Sequence, residues 1–142
     1  MISLPHYLRI VRASAWYDLL VTIGFATPWT FILIHHSLTD IVQTLGLPGA
    51  FPMFEPAHMM MANLLGSVVT VWALLRIRHT QAHLGRYDAA ARFLFAAWQI
   101  YAVVHGANVI VLAFTVFELI FGVLQSLPVR HASPERVRQS TT

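Results

Sequence analysis

The chain alternates long apolar stretches with short polar segments that carry its arginines. The first apolar stretch, Ser14–Ile34, would reach roughly 30 Å as a helix, the thickness of a bilayer's hydrocarbon core. Pro28 lies inside it and is expected to kink it, with Thr27 placed to hydrogen-bond a carbonyl that the kink frees. The connection from His35 to Ala57 contains Gly46, Pro48, Gly49, Pro52 and Pro56, a density of breakers that argues against helix through its second half. Its apolar part, Leu45–Phe54, is expected to lie on the membrane surface. A second span follows from about His58 to Leu75. Ala62, Gly66 and Thr70 share one face of it, where small side chains let helices approach closely. Residues Arg76–Asp88 read as a polar, basic connection with Gly85 as a breaker. Ala89–Leu127 would be roughly 58 Å long as one helix, nearly twice the hydrocarbon core, so it must hold two spans. His105-Gly106-Ala107-Asn108 is the turn-like tetrapeptide near its middle. The third and fourth spans are thus Ala89–His105 and Asn108–Leu127. Pro128 ends the fourth, and residues 130–142 form a polar tail.

The arginines orient this pattern. All 9 basic residues are arginine. Arg9 and Arg12 precede the first span; Arg76, Arg78, Arg86 and Arg92 fall between the second and third; Arg130, Arg136 and Arg138 follow the fourth. The connections near residues 35–57 and 105–108 carry none. Under the positive-inside rule this places both termini in the cytoplasm and requires an even number of spans. The expected fold is an all-α polytopic membrane protein, four transmembrane helices in one bundle and one domain, in the inner (cytoplasmic) membrane. Met1–Arg12 shows no cleavable signal, so the first span is expected to be retained.

Composition agrees. The chain is 57% hydrophobic and 11% charged, against about 25% charged in soluble domains, and so small a chain could not hide that much apolar surface in one core. A net charge of +3 could suggest nucleic acid. The arginines, however, sit at helix ends and form no continuous basic face, which suits anionic lipid and not nucleic acid. The absence of cysteine excludes disulfides and thiolate chemistry.

Candidate chemistry falls in three groups. Glu118 lies near the bilayer midplane, where an ionisable group marks a functional site by default. It either binds a ligand or handles protons, or it acts as inter-helix glue, hydrogen-bonded to Gln99 or a backbone carbonyl. Trp98 beside Gln99 is a candidate pocket-lining residue. Asn63 is expected to hydrogen-bond across to the His105–Asn108 turn. At the outer face, His35, His36, His58 and His105 gather with Glu55 and Asp40. Imidazole and carboxylate are ligands for zinc, iron or copper, and two facing histidines could hold a haem. The same histidines would also sit comfortably at headgroup level with no ligand. Asp18, about one turn into the first span, is expected to form a structural ion pair with Arg12 or Arg92. No hydrolase, nucleotide-binding or H-E-x-x-H motif is present.

The turn Leu45-Gly46-Leu47-Pro48, leading through a short loop into the second span, resembles the small bacterial DoxX-like membrane proteins, in which a comparable L-G-x-P segment precedes the second helix. That resemblance implies a four-span plan. The family often carries an acidic residue and paired glycines in its second helix, where this chain has Met59-Met60-Met61-Ala62-Asn63-Leu64-Leu65-Gly66. No site residue is carried over.

The leading expectation is a non-enzymatic membrane protein that binds a lipid-soluble ligand or a partner subunit between its helices, nearest Glu118, Gln99, Trp98 and Asn63. Two alternatives stand beside it. One is a redox, metal or haem protein using the outer-face histidines. The other is a subunit of an oligomeric transporter, since four spans in a monomer are few for alternating access.

Overall fold

The computed structural model describes residues 1–51 and 53–130. Pro52, Arg136, Arg138 and the expected polar tail beyond Arg130 lie outside the described residues. The fold is all-helical: α1 (Leu4–Thr22), α2 (Pro28–Thr44), α3 (Pro56–Arg78), α4 (Ala82–Val104) and α5 (Val111–Ser126). Two short strands, β1 (Ile2–Ser3) and β2 (Val129–Arg130), pair in parallel and hold the start of α1 beside the end of α5. Helix α1 is the hub, packed on α3, α4 and α5, while α4 and α5 form a close hairpin.

The first apolar stretch is a broken helix. A turn of 3-10 helix, Ile23–Phe25, ends α1, and α2 leaves at 100° to it. Pro28 has no N–H to donate and pushes Thr27 into an extended conformation (φ −132°, ψ 149°). Thr27 then caps α2, its Oγ1 accepting from the Thr30 N–H at 3.3 Å. The carbonyl freed by the break, that of Gly24, is satisfied by the Thr30 hydroxyl at 2.6 Å and not by Thr27 as expected. Helix α2 runs on past Ile34 to Thr44, so the first stretch ends ten residues later than expected and in a different direction.

Glycine ends α2 and α4 in the same way. Gly46 (φ +57°) and Gly106 (φ +100°) adopt the left-handed conformation that closes a Schellman motif. After α2, Gly46 N donates to Gln43 O and Leu47 N to Val42 O; after α4, Gly106 N donates to Val103 O and Ala107 N to Ala102 O. The Leu45–Pro48 turn is therefore a helix stop followed by proline, a solution open to any helix end.

The two loops that follow these caps pair with each other. Ala50 N donates to Gly106 O at 2.8 Å and Asn108 N to Ala50 O at 3.0 Å. The Asn108 side chain, 1% exposed, fastens the pairing: its Nδ2 donates to Leu47 O and Gly49 O, and its Oδ1 accepts from Ile110 N. The expected turn inside the long apolar block is thus present, and it doubles as a clamp.

Two expectations about the second connection are corrected. Helix α3 extends to Arg78 and α4 begins at Ala82, so the connection is only His79–Gln81. Gly85 lies inside α4, where a side chain would strike Val11 and Tyr7 of α1. It serves close packing and breaks no helix. The small-residue face of α3 behaves as expected, with Gly66 so close to Phe25 that a Cβ would fall 2.5 Å from its carbonyl carbon.

By length and apolarity, α3 qualifies among the described residues to cross a membrane alone, and α1 with α2 qualifies only as a bent pair. Helix α5 is apolar but shorter, and α4 carries Arg86, Asp88 and Arg92 in its first half.

Burial is inverted relative to a water-soluble protein. The buried set includes Ser14, Asp18, Arg76, Asp88, Arg92, Asn108, Thr115, Glu118 and Gln125. Leu64, Leu65, Val68 and Val71 of α3, Leu94 and Trp98 of α4, and Val116 and Ile120 of α5 are exposed.

The Asn108 clamp gives a first prediction. Asn108→Ala leaves two loop carbonyls and one N–H without their partner, each worth about 1 kcal/mol net. A loss of about 2–3 kcal/mol is expected in thermal or denaturant unfolding followed by circular dichroism. A variant as stable as the wild type would show that the loop pairing holds without its side chain.

Candidate functional site

Successive turns of four helices bring one charged cluster together. Ser14 and Asp18 lie one turn apart on the inner face of α1, and Asp88 and Arg92 one turn apart on α4. Trp72 and Arg76 are one turn apart near the end of α3, and Glu118 is central on α5. Arg92 joins three of these helices through three different nitrogens. Its Nη2 lies 2.7 Å from both Asp18 oxygens, its Nε 2.9 Å from Asp88 Oδ2, and its Nη1 2.8 Å from Glu118 Oε2. Arg76 adds the fourth helix, pairing through Nη1 with Asp88 Oδ2 at 2.5 Å and through Nη2 with Asp18 Oδ2. Both guanidiniums are fully buried or nearly so.

Neutral groups complete the cluster. The Trp72 indole N–H donates to Asp88 Oδ1 at 3.0 Å. Arg76 Nη1 donates to Ser14 Oγ at 3.1 Å, and the Gln125 amide donates to the same oxygen. Each guanidinium also lies over an aromatic ring, Arg76 over Trp72 and Arg92 over Phe121. Arg76 Nε and Gln125 Oε1 are buried with no hydrogen-bond partner among the described residues.

One side of this cluster is open. A cavity of about 190 Å³ lies between α3 and α4. Leu65, Val68, Val69 and Trp72 of α3 form one wall, and Ala91 and Phe95 of α4 the other. Its floor is Asp18, Asp88, Arg92 and Glu118. Next to it runs a groove of about 470 Å³ along Met53, Phe54, His58, Met61 and Ala62, and Leu65 lines both. Apolar walls above a few fixed charges are the usual make-up of a small-molecule site.

Of the residues singled out from the sequence, Glu118, Asp18 and Arg92 meet here. The Asp18–Arg92 pair was expected. Arg12 is exposed and enters no ion pair among the described residues. Gln99 does not bind Glu118; its Oε1 accepts from the Thr115 hydroxyl at 2.8 Å, because Arg92 offers Glu118 a stronger, charged donor. Trp98, one residue from Gln99, is turned by about a quarter of the helix circumference. It stands 65% exposed against Tyr101, away from the cavity lining. Asn63 donates to Phe25 O at 2.8 Å across the α1 break, and not to the 105–108 turn.

The outer histidines are held by aromatic rings. His35 stacks on Phe51 and meets Phe54 edge-on, His36 neighbours His35, and His58 meets Phe54 from the other side. His105 stacks on Tyr101 at 3.9 Å. Glu55 is the residue before α3, its carbonyl accepting from Met59 N. Among the described residues, no three or more His, Asp or Glu side chains gather where they could hold a metal ion.

Sequence reasoning missed Arg76, Asp88, Trp72, Ser14 and Gln125. Arg76 had been read as the start of the polar connection, and Arg92 only as a partner for Asp18. The available signal was the one-turn spacing of Ser14 with Asp18, Trp72 with Arg76 and Asp88 with Arg92, each pair bordered by apolar residues.

The chain matches no family of known proteins, no characterised protein and no solved structure.

Arg92→Met takes from Glu118 its ion-pair partner and from Asp18 and Asp88 one of the two guanidiniums that hold them. Removing one partner of a buried ion pair costs about 3–5 kcal/mol, so this variant should lose most of its folded fraction, measured by size exclusion and thermal unfolding. Adding Glu118→Gln should recover part of the loss, because the carboxyl left without its partner is removed. If the double variant is no more stable than Arg92→Met, Glu118 and Arg92 are not coupled.

Proposed function

We propose that this protein is a small non-enzymatic membrane protein that takes a lipid-soluble molecule into the crevice between α3 and α4, its polar head on the charged floor. The observation that carries this reading is the cavity itself, apolar on both walls and charged at its base. Engineered apolar cavities of about 150 Å³ hold a benzene ring, so a head of ring size fits. A tail would continue past Leu65 along the neighbouring groove or out into lipid.

The membrane setting is supported by the inverted burial. Aliphatic and aromatic side chains cover much of the outside of α3, α4 and α5, while the five buried charges, Asp18, Arg76, Asp88, Arg92 and Glu118, are paired with one another. Four crossings by α1, α3, α4 and α5 in the inner membrane agree with the β1–β2 pairing, which sets the start of α1 beside the segment that follows α5. The exposed arginines Arg9, Arg12, Arg78, Arg86 and Arg130 lie toward that same end, which the positive-inside rule puts in the cytoplasm. The opposite end, with α2 and the two clamped loops, has none.

Native mass spectrometry of the gently extracted protein tests the reading. The wild type should carry a lipid-soluble adduct. Ala91→Trp, which fills the crevice from α4, should abolish that adduct and leave helical content unchanged. A wild type without adduct under several extraction conditions, or a variant that keeps it, would count against the crevice as a ligand site.

A further inference from the structure

We infer that the molecule taken by the crevice is a lipophilic cation, and that its charged head replaces a proton held at Glu118. The inference rests on reading the crevice as a ligand site and names the ligand class. The cluster holds three carboxylates, Asp18, Asp88 and Glu118, but two guanidiniums, Arg76 and Arg92. With every group ionised, one negative charge is left over among buried groups. A charge so poorly solvated is neutralised, either by a proton or by a cation.

The contacts say where the proton sits. Asp18 pairs with both arginines, and Asp88 pairs with both and also accepts from Trp72. Glu118 is held through Oε2 alone, by Arg92. Its Oε1 accepts no hydrogen bond among the described residues, and Glu118, 8% exposed, lines the cavity. The charged and titratable groups around it are Asp18 and Tyr17 from α1 and Asp88 and Arg92 from α4, while Arg76 of α3 reaches the cluster through Asp18 and Asp88.

The cavity wall itself is more acidic than the cluster as a whole. Arg76 is not part of the lining, so the occupant meets three carboxylates against one guanidinium. An anionic head would be repelled. A compact ammonium head meets carboxylates below, between the apolar walls of α3 and α4. The exchange balances: the O–H bond of the Glu118 carboxyl breaks, the proton leaves to solvent, the cation enters, and no covalent bond forms.

Binding to the full chain in nanodiscs of zwitterionic phosphatidylcholine tests this, with empty discs as the blank. The probes are dodecyltrimethylammonium, dodecanol and dodecanesulfonate, which share a tail and differ in head charge. Dodecyltrimethylammonium should bind tightest. Its affinity should rise by about tenfold per pH unit over the range in which Glu118 is protonated, since low pH favours the competing proton. Wild-type protein in weak buffer with an indicator dye should release one proton per cation bound. Glu118→Gln, which keeps a hydrogen-bonding side chain beside Arg92, should lose the pH dependence and weaken the cation by about tenfold or more. Dodecanol or dodecanesulfonate binding as tightly as the cation, pH-independent cation binding, or no proton release would overturn the inference and leave the crevice standing as a ligand site. Failure of all three probes to bind would remove the crevice reading as well. Should Glu118→Gln not fold, the proton-release measurement on the wild type decides.

Discussion

The structure depends on Arg92. One guanidinium reaches carboxylates on α1, on α5 and on its own helix. A planar group with donors spread around its edge can do this, where a lysine ammonium, a single point of charge, would satisfy fewer partners in fixed directions. The balance is narrow. Desolvating charges costs nearly as much as pairing them returns, so such a network adds little stability over an apolar core while its disruption costs a great deal. Its value is positional: the carboxylates fit Arg92 in one arrangement of the helices, whereas aliphatic faces slide past each other.

A second polar knot secures the other end. There the joint is backbone to backbone, with Asn108 as the fastening side chain. Between the two knots, contact is made by small residues, among them Ala15, Ala73, Ala89 and Ala96. This division of labour suits an apolar surrounding. Where the solvent is as apolar as leucine, leucine contacts cannot draw helices together, and close approach and hydrogen bonds take over. Helices α3 and α4 are adjacent in sequence but hold apart along the cavity, each anchored instead to a different partner, α3 to α1 and α4 to α5.

Much of this architecture was legible in the sequence, and the failures have a common cause. The break at Pro28, the split of Ala89–Leu127 at Gly106 and the small face through Gly66 follow from backbone chemistry written into single residues. The run of α2 to Thr44 was unclear because its breakers begin only at Gly46. The charged cluster was largely hidden. Arginine near the end of an apolar run means a loop in most membrane proteins; hydropathy places Arg76 at the start of the connection and Arg92 just inside the third span. Their true setting depends on carboxylates distant in sequence: Asp18 lies 58 residues before Arg76, and Glu118 26 residues after Arg92. Glu118 stood out because its own segment is apolar throughout. Trp98 was misplaced for a smaller reason, since nearness in sequence to Gln99 is not nearness on a helix face.

The spread of these charges also bears on the order of assembly. Every helix that touches the cluster brings at least one charge, and α1 and α5 each bring a carboxylate with no counter-ion of its own. Helix α1 is synthesised first, and Asp18 has no partner until α3 delivers Arg76. Helix α4 arrives with Asp88 and Arg92 already paired one turn apart, and α5 brings Glu118 last. A helix that is incomplete by itself has reason to linger in the aqueous or protein-lined exit of the insertion machinery until its complement emerges. In the membrane setting proposed above, the sequence order of the charges is thus also a schedule for when each helix can be released into lipid.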